Sequence, residues 1–243
     1  MFEKTSSYEA YFLPGPEEGL ATDDALQLGL GWLLEQPGQP MVVLSAKKVL
    51  NNNHLLEQTV SRARILVAAP PRISDTRWSG GAILAPWASE RALQAIDADL
   101  HNVTSVCVIG WNAGHHSTWI TGHGARDLRV PDAERAKPRL DPVVEVAMED
   151  VTRAINHNNG LVTYEEKSYV VRTLQELARA GYSYDTESLV AWATAKGWYP
   201  DELPILREYA AGVLAGKRFG LRDTWGPQRG AALRWKNEAT ARE

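Results

Sequence analysis

The chain has 243 residues, 44% of them hydrophobic, a formal net charge of −4 and a single cysteine. That length supports one large domain or two small ones with separate cores, and the charge gives no global pull toward nucleic acid or an anionic membrane. One cysteine excludes an internal disulfide and any multi-cysteine zinc or iron–sulfur site.

The opening stretch, MFEKTSSYEAYFLPG, has no secretory pattern. Nowhere does the chain run the roughly 20 apolar residues that a membrane span needs. A cytoplasmic, bacterial-type protein is therefore expected. The short apolar run YFL at 11–13 is broken by PGPEEG. In TDDALQLGLGWLLEQPG, residues Ala25, Leu26, Leu30, Leu33 and Leu34 fall at near-helical spacing. Thr22 or Asp23 reads as the N-cap and Pro37-Gly38 as the stop. MVVLSA reads as a buried strand, NNNHLLEQTVSRA as an asparagine-capped helix, and ILVAAPP and GGAILAPW as further buried strands. SERALQAIDADL is a helix capped by Ser89, and SVCVIGW a fourth inner strand with Cys107 buried in it.

Continuous apolar strands separated by helices imply burial on both faces and parallel pairing. The fold class expected is α/β, a Rossmann-like and mostly parallel sheet flanked by helices, followed by a small all-helical domain. The α/β domain is placed at 1–128 and a proline-flanked charged linker, around VPDAERAKPRL, at 129–141. A helical domain follows at 142–216, with a basic tryptophan-containing tail at 217–243. Asp141 and Pro142 open the first helix, HNNG stops it, and Thr163 and Glu166 form a capping-box pattern before the second. Asp185 or Thr186 starts a third helix and Gly197 stops it, while Asp201 and Pro204 open ILREYAAGVLAG.

In an open parallel sheet, ligands bind beyond the carboxyl ends of the strands. That rule collects one rim: Ser45, Lys47 and Lys48, then Arg72, then Trp87 and Ser89, then Gly110, Trp111 and Asn112, with His115 and His116 following. The strand–helix–strand unit from Gly81 to Trp111 puts Trp87 and Trp111 near each other. Each tryptophan either seals the core or stacks a flat ligand ring. Lys47, Arg72, Trp87, Ser89, Trp111 and Asn112 are the candidate ligand-binding residues. His115 and His116 are the weaker candidates for acid–base catalysis.

The stretch GWNAGHHSTWITGHG at 110–124 is rich in histidine. His115 or His116 with His123 and Asp127 would make a zinc set, but adjacent histidines diverge and no H-E-x-x-H occurs, so no metal is expected. TRWSGG at 76–81, with Arg72 and Arg77, offers a weak anion site; its glycine pair more commonly serves a turn. Neither G-x-G-x-x-G after a strand nor a P-loop is present, and no cofactor is implied.

The tail carries Trp225 and Trp235 among Arg222, Arg229, Arg234 and Lys236. Such interleaving suits nucleic acid, or docking on an acidic face such as Glu145, Glu149 and Asp150. Docking is favoured, because one short tail makes few phosphate contacts.

GGAILAPWASERALQAIDADLHNVTSVCVIGW and LVAWATAKGWYPDELPILREYAAGVLAGKRF resemble segments of uncharacterised proteins of high-GC Gram-positive bacteria. The resemblance implies an α/β half followed by a helical half with a Gly197-Trp198 turn. It brings no activity, cofactor or site.

The leading functional expectation is a binding or interaction protein that holds a small anionic or nucleotide-like ligand at the sheet's carboxyl edge. A protein partner or a second copy of the chain would meet its helical half. The alternatives are an enzyme acting on a phosphorylated or nucleotide substrate, with His115 or His116 as acid–base, and a nucleic-acid-binding protein using the tail.

Overall fold

The structure, a computed structural model, describes residues 8–73, 77–112, 114–130, 137–157, 161–221 and 225–242. It divides into two compact units, Met1–Lys137 and Pro138–Glu243.

The first unit is built on a six-stranded sheet in the order β3-β2-β4-β5-β1-β6, with every pairing parallel. Its strands are β1 (Glu9–Leu13), β2 (Met41–Val43), β3 (Leu66–Ala68), β4 (Gly81–Pro86), β5 (Val103–Ile109) and β6 (Arg126–Asp127). Its helices are α1 (Thr22–Glu35), α2 (His54–Ala63), α3 (Glu90–Asp99) and α4 (Ser117–Gly122). Leu26, Leu30 and Leu33 of α1 and Leu56 and Val60 of α2 pack on the sheet face made by Leu13, Val42, Leu84, Cys107 and Ile109. Leu93 and Ile96 of α3 and Trp119 of α4 pack on the opposite face, with Met41, Val43, Ile83, Val106 and Val108. Both faces are covered, which is why the strands read as unbroken apolar runs. The expected α/β class, with a helical region after it, is what the structure has.

Local signals placed several helix starts. The Asn53 and Ser89 side chains accept from the Leu56 and Ala92 backbone N–H at 3.0 and 3.3 Å. Asp141, Thr163 and Asp185 cap their helices in the same way.

Other readings need correction. The 11–13 run is a full strand inside the sheet, because β5 and β6 flank it. Its neighbours arrive nearly a hundred residues later, so local sequence could not show this. ILVAAPP was expected to be buried, yet β3 is the sheet edge and only half-buried at Leu66 and Val67. The first helix has Ala21 as N-cap with no side-chain cap bond. The capping box is half-formed: Thr163 accepts from Glu166 N–H, but Glu166 turns to the backbone N–H of Asn156 instead. The Asn158–Asn159–Gly160 stop, residues 131–136 of the expected linker, Thr76 and Arg222 lie outside the described residues.

The second unit contains α5 (Pro142–Ala154), α6 (Tyr164–Arg179), α7 (Thr186–Ala195), α8 (Glu202–Leu214) and α9 (Ala231–Thr240) around one core. α9 forms in the stretch read as a tail. Its Trp235 is fully buried and donates its indole N–H to Asp150 of α5 at 3.0 Å. Arg234 also pairs with Asp150, and Arg242 reaches Glu149 at 2.8 Å. Burial alone would raise the Glu149 carboxyl, but Arg242 and Lys196 outweigh it and hold it below the usual carboxylate range. The tail thus docks on the acidic face named from sequence. No helix among the described residues is long and apolar enough to cross a membrane.

Candidate functional site

Because all strands are parallel, the loops after them share one edge. Two neighbouring strand pairs there send their chains to opposite faces. β2 leads to α2 and β4 leads to α3; β1 leads to α1 and β5 leads to α4. Such switch points open a crevice at the carboxyl ends. The β1/β5 gap is closed by backbone: Gly110 N–H donates to Leu13 O at 2.9 Å. A Cβ on Gly15 would lie 2.8 Å from the Trp111 carbonyl carbon, so only glycine fits.

The β2/β4 switch point carries Ser45 and Trp87. The Ser45 hydroxyl donates to the Trp87 carbonyl at 2.8 Å, and Trp87 N–H donates to Ile109 O at 3.0 Å. These bonds hold Trp87 at a φ of 50°, a left-handed conformation uncommon for a bulky residue. Its ring meets Trp111 edge-to-face, with centroids 5.9 Å apart, as the crossover argument requires. Trp111 is 59% exposed, whereas Trp87 is partly buried and its indole nitrogen has no hydrogen-bond partner among the described residues.

Behind Trp111 the loop is stitched to itself. Trp111 N–H donates to Nδ1 of His115 at 3.0 Å, and His115 N–H to Asn112 O at 3.1 Å. The neutral His115 ring therefore carries its proton on Nε2. His116, with φ of 68°, lies tilted against His115, with ring centroids 3.6 Å apart and planes at 31°. Burial holds His115 below its ordinary pKa, and burial with the neighbouring His115 pushes His116 down to about 3. Both rings are neutral at pH 7.

The remaining candidates are more dispersed. The Ser89 hydroxyl is used in capping α3. Asn112 is exposed beside Trp111. Lys47 opens a short 3-10 helix after β2, Arg72 follows the edge strand β3, and both are exposed. Neither side chain makes a hydrogen bond or ion pair among the described residues; the Arg72 backbone N–H donates to Ala69 O at 3.1 Å. In the TRWSGG stretch, Gly80 and Gly81 pack against Asn102 and Gln39 at positive φ, the turn role.

The zinc set does not converge. His123 lies 3.2 Å from Asp97 Oδ2 and 3.3 Å from the Tyr8 hydroxyl, while Asp127 is held by Arg129 at 2.6 Å. No group of three or more metal-binding side chains is found among the described residues.

Two clusters were not visible in the sequence. Tyr8, which also bonds Asp97, stacks on His123 with centroids 5.4 Å apart. In the second unit, His157 Nδ1 sits 2.8 Å from Oε2 of the fully buried Glu202, which also accepts from Tyr199 N–H at 2.8 Å. That contact raises the His157 pKa, against a smaller opposing effect of burial. Only folding brings these partners together; a capping pattern or strand period carries no trace of them.

The first unit is thus a doubly wound parallel α/β unit with an aromatic rim at a switch point, and the second is an all-helical unit. Within the latter, residues 140–236 match a family described as Domain of unknown function (DUF1889). No curated protein and no solved structure is found to match the chain.

Proposed function

We propose that this is a cytoplasmic binding module whose α/β unit holds a small anionic or nucleotide-like ligand at the β2/β4 switch point. The observation that carries this reading is the edge-to-face Trp87–Trp111 pair, with Trp111 exposed and Trp87 held in a strained backbone conformation. A flat ring would stack on Trp111. The Nε2–H of His115 supplies a neutral hydrogen-bond donor beside it, and Lys47 and Arg72 supply positive charge further along the edge. Binding is favoured over turnover by the state of the histidines: a ring with a pKa near 3 is a poor general base.

The test is a thermal-shift and tryptophan-fluorescence titration with adenosine, AMP and ATP. Stabilisation and quenching are expected for wild type and not for Trp111→Ala. If wild type responds to none of these ligands, or if Trp111→Ala responds equally, the reading fails.

A further inference from the structure

The helical unit has a concavity that the rim reading does not use. On α6, Arg172, Gln175, Glu176 and Arg179 form one stripe at helical spacing. With Pro227 and Arg229 they line a pocket of about 410 Å³. A second pocket, of about 590 Å³, adjoins it through Gln175 and Arg179 and adds Lys217, Arg218 and Phe219.

The first pocket places three guanidinium groups around a single carboxylate. That carboxylate is engaged in the wall. Glu176 is buried; its Oε1 accepts from Gly230 N–H at 2.8 Å, and its Oε2 takes Arg179. One buried acid thereby fixes both Arg179 and the turn that presents Arg229. Arg172 is set by packing: a Cβ on Gly226 would lie 2.7 Å from its Cδ. Arg229 and Arg218 are exposed and make no ion pair among the described residues. Lys217 is bound to Glu208 at 2.9 Å and lies over the Phe219 ring.

We infer that this arginine-lined pocket binds a small phosphorylated molecule. Its phosphoryl group lies among Arg172, Arg179 and Arg229, and its body extends past Gln175 toward Phe219. Guanidinium forks match phosphate oxygens in pairs, and here Arg172, Arg179 and the turn that presents Arg229 are held before any ligand arrives. The volume suits a small ligand. A nucleic-acid backbone calls instead for a run of cations along an open surface. The inference is independent of the tryptophan rim.

The experiment is calorimetric titration of the full chain with phenyl phosphate and with inorganic pyrophosphate. Saturable binding of both is expected, weakened about tenfold or more by Arg229→Gln, as for loss of a charge-assisted hydrogen bond. Arg229 is exposed, so the variant should melt like wild type, and Trp111→Ala should bind both probes normally. The inference is overturned if neither probe saturates, if Arg229→Gln binds as wild type, or if binding is lost in Trp111→Ala instead. It is also overturned if single-stranded RNA binds through Arg229 while both phosphate probes do not.

Discussion

The Ser45 hydroxyl and the Trp87 carbonyl, 42 residues apart in sequence, are joined at 2.8 Å across the carboxyl ends of β2 and β4. The bond spans the point where the chain turns to opposite faces of the sheet. It secures a tryptophan whose backbone is otherwise unfavourable. Ser45→Ala should therefore cost about 1 kcal/mol of stability. It should also weaken any rim ligand, because Trp87 is freed to leave its left-handed conformation. Chemical denaturation and a ligand titration on the same variant check both parts.

Gly15 and Gly31 should respond oppositely to alanine. A Cβ at Gly15 meets the Trp111 backbone at 2.8 Å, and backbone there cannot move aside. Gly15→Ala is expected to destabilise by about 1–3 kcal/mol, as overpacking does. Gly31 lies in α1, and nothing stands within 4 Å of its added Cβ. Gly31→Ala should stabilise by up to about 1 kcal/mol through helix propensity. Thermal melts of the two variants beside wild type decide the matter.

Trp235 anchors α9 to α5. Removing its ring leaves a core cavity and an Asp150 that has lost one donor. Trp235→Ala should cost about 3–5 kcal/mol, while Trp225→Ala, at a 40% exposed position, should cost far less. Hydrogen exchange of α5 amides would report the difference.

The two units should answer pH with opposite sign. His157 has a raised pKa in the folded state, so its contribution is fully present below the ordinary value near 6.5. It is lost as pH rises through the folded pKa. His116 has a lowered pKa, about 3, so its neutral burial is tolerated above 6.5 and destabilises as pH falls below it. Moving from pH 8 to pH 5.5 should stabilise the helical unit and destabilise the α/β unit. His157→Gln should remove the first trend and His116→Gln should reduce the second, to which the lowered pKa of His115 also contributes, as read by hydrogen exchange in each unit.

Much of the fold was legible in single stretches. Asn53, Ser89, Asp141, Thr163 and Asp185 could be read as caps because a cap is a contact between residues two or three apart. The inner strands could be read because burial on both faces demands unbroken apolar runs. The meeting of Trp87 and Trp111 was legible one level higher, since a strand–helix–strand crossover returns both strand ends to one edge. The acidic docking face for the basic tail was legible from charge alone.

The amino-acid sequence by itself determined the α/β class, most helix starts, the rim and its aromatic pair, because each rests on local spacing or on a chirality rule. Only the tertiary structure decided that β1 lies inside the sheet and that Gly15 closes one switch point while Ser45 and Trp87 hold the other. It alone placed Asp97 beside His123, Glu202 beside His157, and Arg229 beside Arg172 and Arg179. These contacts join residues tens of positions apart. Their partners are chosen by packing and burial over the whole unit, and no short-range pattern encodes them.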